Sequence, residues 1–365
     1  MSATRSTEAS RPGPPEPCTA ASEPRLVALI RDEVEGSPDR RITFARFMER
    51  ALGEPGLGYY ATSALRPTRS GDFLTAPELH PLFGRCIGRA LTTAWLELGA
   101  PVSFPVREYG AGRGTLRDTV LAGLVADGSG LADAVVWQPV DLPGRHPDPD
   151  GPVGVGAVIA NEYLDALPVH CLVVRDGALR ERWVTWRDDR LGWVEGELSS
   201  PELTGPVAAS GVALQEGQHL EVRPAVRAWV AEVARTIARG FVMVIDYGHE
   251  PADLYGPRRL AGTLLTYRNQ TVGDDPFEAV GRQDITAHVD LGDLRRAAIS
   301  DGLAPVIDTT LGPYLVGLGL GDLLGTLGRD PATEPQAYVD ARASVLRLLD
   351  PRHLGGQRVL AFARR

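Results

Sequence analysis

The sequence predicts an α/β fold of the Rossmann-like, doubly wound kind, carrying an N-terminal helical cap and an antiparallel β insertion. Three observations predict it. From residue 101 onward, short apolar runs alternate with amphipathic helical stretches, the rhythm of a parallel sheet covered on both faces. One apolar run, "SFPVREYG", passes straight into the glycine loop "GAGRG". Residues 171–198 then break the alternation into short strands joined at "DGA" and "DDRLG", which is antiparallel chemistry.

Taken in order, residues 1–24 are rich in Ser, Pro, Ala and Glu, lack an apolar core and read as a disordered tail. Residues 25–100 read as the helical cap. "ITFARFMERAL" places Phe44, Phe47, Met48 and Leu52 on one face, and Leu82, Phe83, Ile87, Leu91 and Trp95 recur at helical spacing further on. Between them runs the loop "GLGYYATSALRPTRSGDFLTAPE". At its end Thr75 reads as an N-cap, with Pro77 near the first helical position and Glu78 three residues on. Residues 101–365 read as the main domain. Its strands are expected in "SFPVREYG", "DAVVWQPVD", "VGAVIANEY", "FVMVIDYG", "LAPVIDT" and "QRVLAFA". A helix is expected over "PAVRAWVAEVARTIARG", opened by Pro224 and closed at Gly240.

Composition narrows the chemistry. With 43% hydrophobic residues the chain can bury a real core. A net charge of −9 argues against a nucleic-acid surface. All 38 basic residues are arginine, so no P-loop lysine and no Schiff-base lysine exist. Cys18, Cys86 and Cys171 are scattered, which suits a reducing cytoplasm better than a disulfide framework. No run approaches the length of a membrane span, so membrane insertion is not expected.

The loop "EYGAGRGTLRD" carries Gly110, Gly112 and Gly114 after Glu108. A P-loop fails for want of lysine, and a dinucleotide fingerprint fits poorly because Thr115 stands where its third glycine belongs. E-x-G-x-G-x-G at a strand end is instead the shape of the first motif in class I methyltransferases that use S-adenosylmethionine. Glycines let backbone pass beneath the ligand, the helix N-terminus near Thr115 favours its carboxylate, and Glu108 can orient a polar group. Asp141, at the next strand end, is the candidate for the ribose hydroxyls. The plainer alternative is a tight strand–helix turn.

Five segments in sequence order, "GDFLTAPELHPLFG", "REYGAGRGTL", "ANEYLDALPVH", "VIDYGHE" and "GTLLTY…GRQDITAHVDL", resemble the MidA-like methyltransferases. That family includes a mitochondrial complex I assembly factor that dimethylates a protein arginine. The resemblance implies a class I fold with S-adenosyl-L-methionine as cofactor. It assigns Glu108, Gly110, Gly112, Gly114 and Asp141 to cofactor binding. Asn161, Glu162 and Asp165, with Asp72, Thr75 and Glu78, fall to the reactive end and the acceptor pocket. Gly71 and Asp72 are read as a lid over the cofactor. Two departures stand out. The stretch "DLPGRHPDPDGPVG" is short and proline-rich, and Leu291 replaces an aromatic after "AHVD".

A guanidinium is a planar cation best held by carboxylates, so Glu162 is expected to clamp an arginine acceptor, with Asp165 and Asn161 beside it. The alternative is that Glu162 and Asp165 merely cap the following turn. Asp246, at another strand end, faces the same crevice as a candidate for substrate binding, or makes a local turn bond. Asp284, His288 and Asp290 lie close together, but methyl displacement on a sulfonium needs no metal and none is expected. The expected acceptor is a protein arginine, a respiratory-complex subunit being one option, and a homo-oligomer stays open. The rival readings are a small-molecule O- or N-methyltransferase and a non-catalytic assembly factor that keeps the fold.

Overall fold

The computed structural model describes residues 21–63, 75–149 and 151–365. Helix α1 (Pro24–Gly36) leads through strand β1 (Arg41–Thr43) into α2 (Phe44–Gly53) and the short α3 (Tyr59–Ser63). The Thr43 hydroxyl accepts the Arg46 N–H at 3.1 Å, which starts α2 where its apolar face begins. That face packs Phe44 on Trp193 and Phe47 on Phe277, with ring centroids 4.9 and 5.1 Å apart. Helices α4 (Ala76–Leu79) and α5 (Pro81–Glu97) follow.

The chain then builds β2 (Phe104–Tyr109), helix α6 (Thr115–Ala126), β3 (Val135–Val140) and β4 (Gly154–Asn161). Strands β5 (His170–Arg175), β6 (Ala178–Arg187), β7 (Arg190–Gly196) and β8 (His219–Val222) form the antiparallel insertion, and β9 (Ile237–Asp246) returns to the parallel sheet. Two later strands, Ala304–Thr310 and Arg358–Arg364, complete it. The six-stranded sheet runs in the order 304–310, 358–364, β9, β4, β2, β3. Its last four strands are parallel, and the Arg358–Arg364 strand is antiparallel to both its neighbours.

Helices α5 and α6 cover one face, where Phe83, Ile87, Phe104 and Val120 are fully buried. The helices Pro224–Thr236 and Leu291–Ser300 cover the other through Trp229, Val233 and Leu294. Each such side chain contributes about 1.5–3 kcal/mol of burial. Leu291, the departure noted above, is fully buried in this second core.

The expected helix over 224–240 ends early, at Thr236, and Ile237–Gly240 already belongs to β9. Pairing decides this. Gly154 registers with Ile237 and Gly156 with Gly240, and a Cβ at Gly240 would strike the Gly156 carbonyl oxygen. The antiparallel sheet draws in two strands from outside residues 171–198. β8 pairs with β5, and β1 pairs with β6 through Ile42 opposite Val184. Such short strands carry too little periodicity to be seen in sequence.

Between β3 and β4, where the chain crosses β2, no helix occurs among the described residues. Arg107, 4% exposed on β2, substitutes for one. Its guanidinium donates to Gln138 Oε1 at 3.0 Å and to the Gly151 carbonyl at 2.6 Å. Among the described residues no helix is long and apolar enough to cross a membrane.

Candidate active site

A cavity of about 770 Å³ opens where β2, β3 and β4 end, the place ligands occupy in open parallel sheets. One end is the glycine loop. Gly110, Gly112 and Gly114 all have positive φ, at 72°, 54° and 81°, but for different reasons. A Cβ on Gly110 would press on the Tyr163 ring at 3.0 Å, and one on Gly114, the left-handed N-cap of α6, would meet Arg117. A Cβ on Gly112 would meet nothing nearer than the Gly110 oxygen at 3.9 Å. Gly112 is therefore the bare backbone that faces the cavity. Gly114 does not line it.

The loop is held from below. Gly110 and Ala111 N–H groups donate to the Val140 carbonyl at 2.9 and 3.2 Å. Asp141 Oδ2 accepts the Gly112 N–H at 2.6 Å, and its Oδ1 accepts from Leu142 N–H and from Arg145 at 3.2 Å. Glu108 is 4% exposed and accepts the Trp137 indole N–H at 2.7 Å. Burial pushes its carboxyl up to about 7, and the indole bond restrains the rise.

The other end is a cluster of carboxylates. Glu162 sits just past β4 with φ of +50°, a conformation costly for any residue with a Cβ. Its N–H donates to the Ile245 carbonyl at 2.8 Å. Its Oε1 accepts from the Ala76 N–H at 3.0 Å and from Asn161 Nδ2 at 3.3 Å. Burial pushes this carboxyl up to about 7 despite the Ala76 bond, and the nearby Asp246 adds to the rise. Asp165, 8% exposed, is pushed well up by burial and then by Asp246, Asp284 and Glu162. Asp284 comes from a distant segment and accepts the Tyr60 hydroxyl at 2.7 Å.

Asp246 works differently. It does not line the cavity, and its carboxylate is taken up by backbone. Oδ2 accepts the N–H groups of Tyr163, Leu164 and Asp165 at 3.2, 2.7 and 3.4 Å, and Oδ1 accepts that of Tyr247 at 2.8 Å. It shapes the turn that presents Glu162 and Asp165. Arg223, buried beneath them, spends its donors on the carbonyls of Leu167, Asp165 and Ala287. Neither Glu162 nor Asp165 has an ion-pair partner among the described residues.

Thr75 and Glu78 line the cavity, and the Glu78 carboxylate reaches back to the Thr75 N–H and hydroxyl at 3.4 and 3.2 Å. Gly71 and Asp72 lie outside the described residues. Sequence reasoning missed Tyr60, Arg145, Tyr247 and Tyr267 as lining residues. Tyr60 stands in "GLGYY", where a tyrosine pair beside a glycine was the available signal, and Tyr267 ends "GTLLTY", one of the segments that carry the family resemblance. Arg145, which also donates to the Tyr60 carbonyl, hides in the proline-rich stretch.

A family model described as S-adenosyl-L-methionine-dependent methyltransferase matches residues 124–307, half of the chain. The mitochondrial protein arginine methyltransferase NDUFAF7 of Mus musculus is 26% identical, over 86% of this chain and 79% of its own. The Homo sapiens protein is also 26% identical, over 86% and 78%. A COG1565 superfamily member from Burkholderia thailandensis, solved with S-adenosyl-homocysteine bound, is 30% identical. It superimposes with a TM-score of 0.81 over 96% of this chain and 95% of that one.

Proposed function

The chain belongs to the family of S-adenosyl-L-methionine-dependent methyltransferases, and from that premise we propose that it methylates an arginine side chain of a protein. Its cofactor is S-adenosyl-L-methionine, which supplies a methyl carbon activated on a sulfonium. The residues of the loop end fit that molecule. Gly112 offers open backbone, Glu108 is a buried acceptor at the strand tip, and Asp141 stands at the next strand end.

One observation carries the arginine reading: the half-buried Glu162 and the buried Asp165 face the cavity as carboxylates without an ion-pair partner among the described residues. Two such groups are costly to ionise side by side, and a bound guanidinium relieves that cost. Glu162 then holds the guanidinium through N–H groups, one of them on the nitrogen it orients toward the methyl carbon. Localising the cation on the other nitrogens leaves a lone pair on that one. As the N–C bond forms and the S–C bond breaks, the attacking nitrogen releases its proton to Glu162. A pocket for a small apolar acceptor has no use for these carboxylates. The names of the NDUFAF7 relatives support the same reading. A cytoplasmic location and a respiratory-complex subunit as acceptor extend the proposal.

The test is incubation of the purified chain with methyl-labelled cofactor and either cell lysate or arginine-containing peptides, followed by mass spectrometry of acid hydrolysates. Label in methylarginine is the expected result. Label confined to small molecules, or bound cofactor with no transfer, overturns the reading.

A further inference from the structure

Gln357 immediately precedes the Arg358–Arg364 strand, on the rim where the cavity opens. Its backbone is fixed on both sides. Its N–H donates to the Leu354 carbonyl at 3.0 Å, and its own carbonyl accepts the Leu311 N–H at 2.9 Å. The strand register carries it next to the site, because Val359 pairs with Ile245, and Ile245 pairs with Asn161. Gln357 is therefore on the opposite side of β9 from Glu162, at the same level of the sheet.

The side chain is fully buried, yet among the described residues neither its Nε2 nor its Oε1 has a hydrogen-bond partner. Asn161 Oδ1 is likewise buried and unpartnered among them. Native folds rarely keep a buried amide idle, because desolvating it without a partner is costly. An apolar residue of the same length would serve the packing better. The nearby Gln357 amide favours the charged form of the Glu162 carboxyl, although its atoms lie outside hydrogen-bonding geometry.

We propose that Gln357 is the positioning residue for Glu162: its Nε2–H donates to the Glu162 carboxylate once that group is ionised, fixing the carboxylate's orientation and keeping it charged for the acceptor. This rests on the role given to Glu162 above. Gln357 does not line the cavity and acts only through Glu162. The amide's lack of hydrogen-bond partners among the described residues leaves it free to turn to that carboxylate.

The experiment compares wild type with Gln357→Met and Gln357→Leu, the first matching its length and the second covering a folding failure. For each, kcat/KM for an arginine peptide is measured from pH 6 to 9.5, with thermal midpoints and cofactor affinity alongside. A donor to a carboxylate lowers its pKa, so removing it moves the ionisation of Glu162 upward. The expected result is an inflection raised by about one pH unit, a loss of about fivefold at neutral pH, and recovery to near wild type at pH 9. Cofactor affinity stays unchanged, and the thermal midpoint stays the same or rises. A uniform loss at every pH, or an unshifted profile, overturns the proposal. Should the wild type not methylate arginine, carbon-13 NMR of labelled glutamate, with Glu162→Gln identifying the signal, still decides it. An unshifted Glu162 titration in Gln357→Met sinks the positioning role itself, whatever the acceptor.

Discussion

The two ends of the cavity are built in opposite ways. At the loop end the chain offers backbone: Gly112 is bare, and Gly110, Ala111 and Gly112 are tied to Val140 and Asp141 within one strand–loop–helix unit. At the other end it offers side chains that arrive from separate places. Glu162 and Asp165 follow β4, Asp284 lies more than a hundred residues later, and Tyr60 comes from the N-terminal cap. The first end depends on local conformation and resembles what many folds do for nucleosides. The second depends on assembly, and in our proposal it is where acceptor identity is set.

The sharpest way to break this comparison is at Gly112. Gly112→Val forces a branched side chain into a left-handed conformation and into the open face of the cavity. Cofactor affinity measured by calorimetry should weaken by more than about a hundredfold. An unchanged Kd would remove the loop from cofactor binding. Next comes Glu162→Gln, which keeps shape but loses charge and base. Turnover should fall by about 10²–10³ while cofactor Kd stays within about twofold, the signature of an end that serves only the acceptor. Loss of cofactor binding instead would merge the two ends into one.

The two ends also titrate. For the acceptor to be held, Glu162 must be ionised, so kcat/KM should rise with pH through about 7, and this rise should vanish in Glu162→Gln. Stability should run the other way. The folded Glu162 and Glu108 carboxyls titrate near 7, above their unfolded value, so the folded state binds more protons between those limits. The ligand-free protein should be most stable below that window and lose stability as pH rises through 7. Scanning calorimetry from pH 5 to 8 checks this, and a thermal midpoint that climbs with pH would contradict it. The smallest effect is expected from Trp137→Phe. It strips Glu108 of its indole donor and should raise that carboxyl further, weakening cofactor binding several-fold with no change in acceptor KM. A change in acceptor KM would show that the ends communicate.

How much of this was legible in the sequence follows from the same division. The doubly wound sheet, the glycine loop and the strand-end carboxylates Glu108, Asp141, Glu162 and Asp246 are local features, and each reads from a short quoted stretch. What sequence could not separate was the job of each. Asp246 and Glu162 look alike at strand ends, but one is saturated by four backbone N–H groups and the other faces the cavity. Three glycines look like one motif and have three separate causes. Tyr60, Asp284 and Gln357 were not assigned to the site because their meaning lies in contacts across 224 residues, or across a sheet whose strand order is not the chain order. The premature end of the 224–236 helix has the same origin: a tertiary pairing, Gly156 beside Gly240, overrides helical periodicity.

That strand order has a kinetic meaning. In the six-stranded sheet, the strand Ala304–Thr310 pairs, among the described residues, only with Arg358–Arg364, which must slot between it and β9. The sheet cannot zip in the order in which the chain is made. Residues 304–310 must wait for a partner that emerges some fifty residues later, and loop closure of that kind slows assembly. The same late strand delivers Gln357 to Glu162. Under the role proposed for Gln357, transfer competence arrives only when this last central strand has docked against β9.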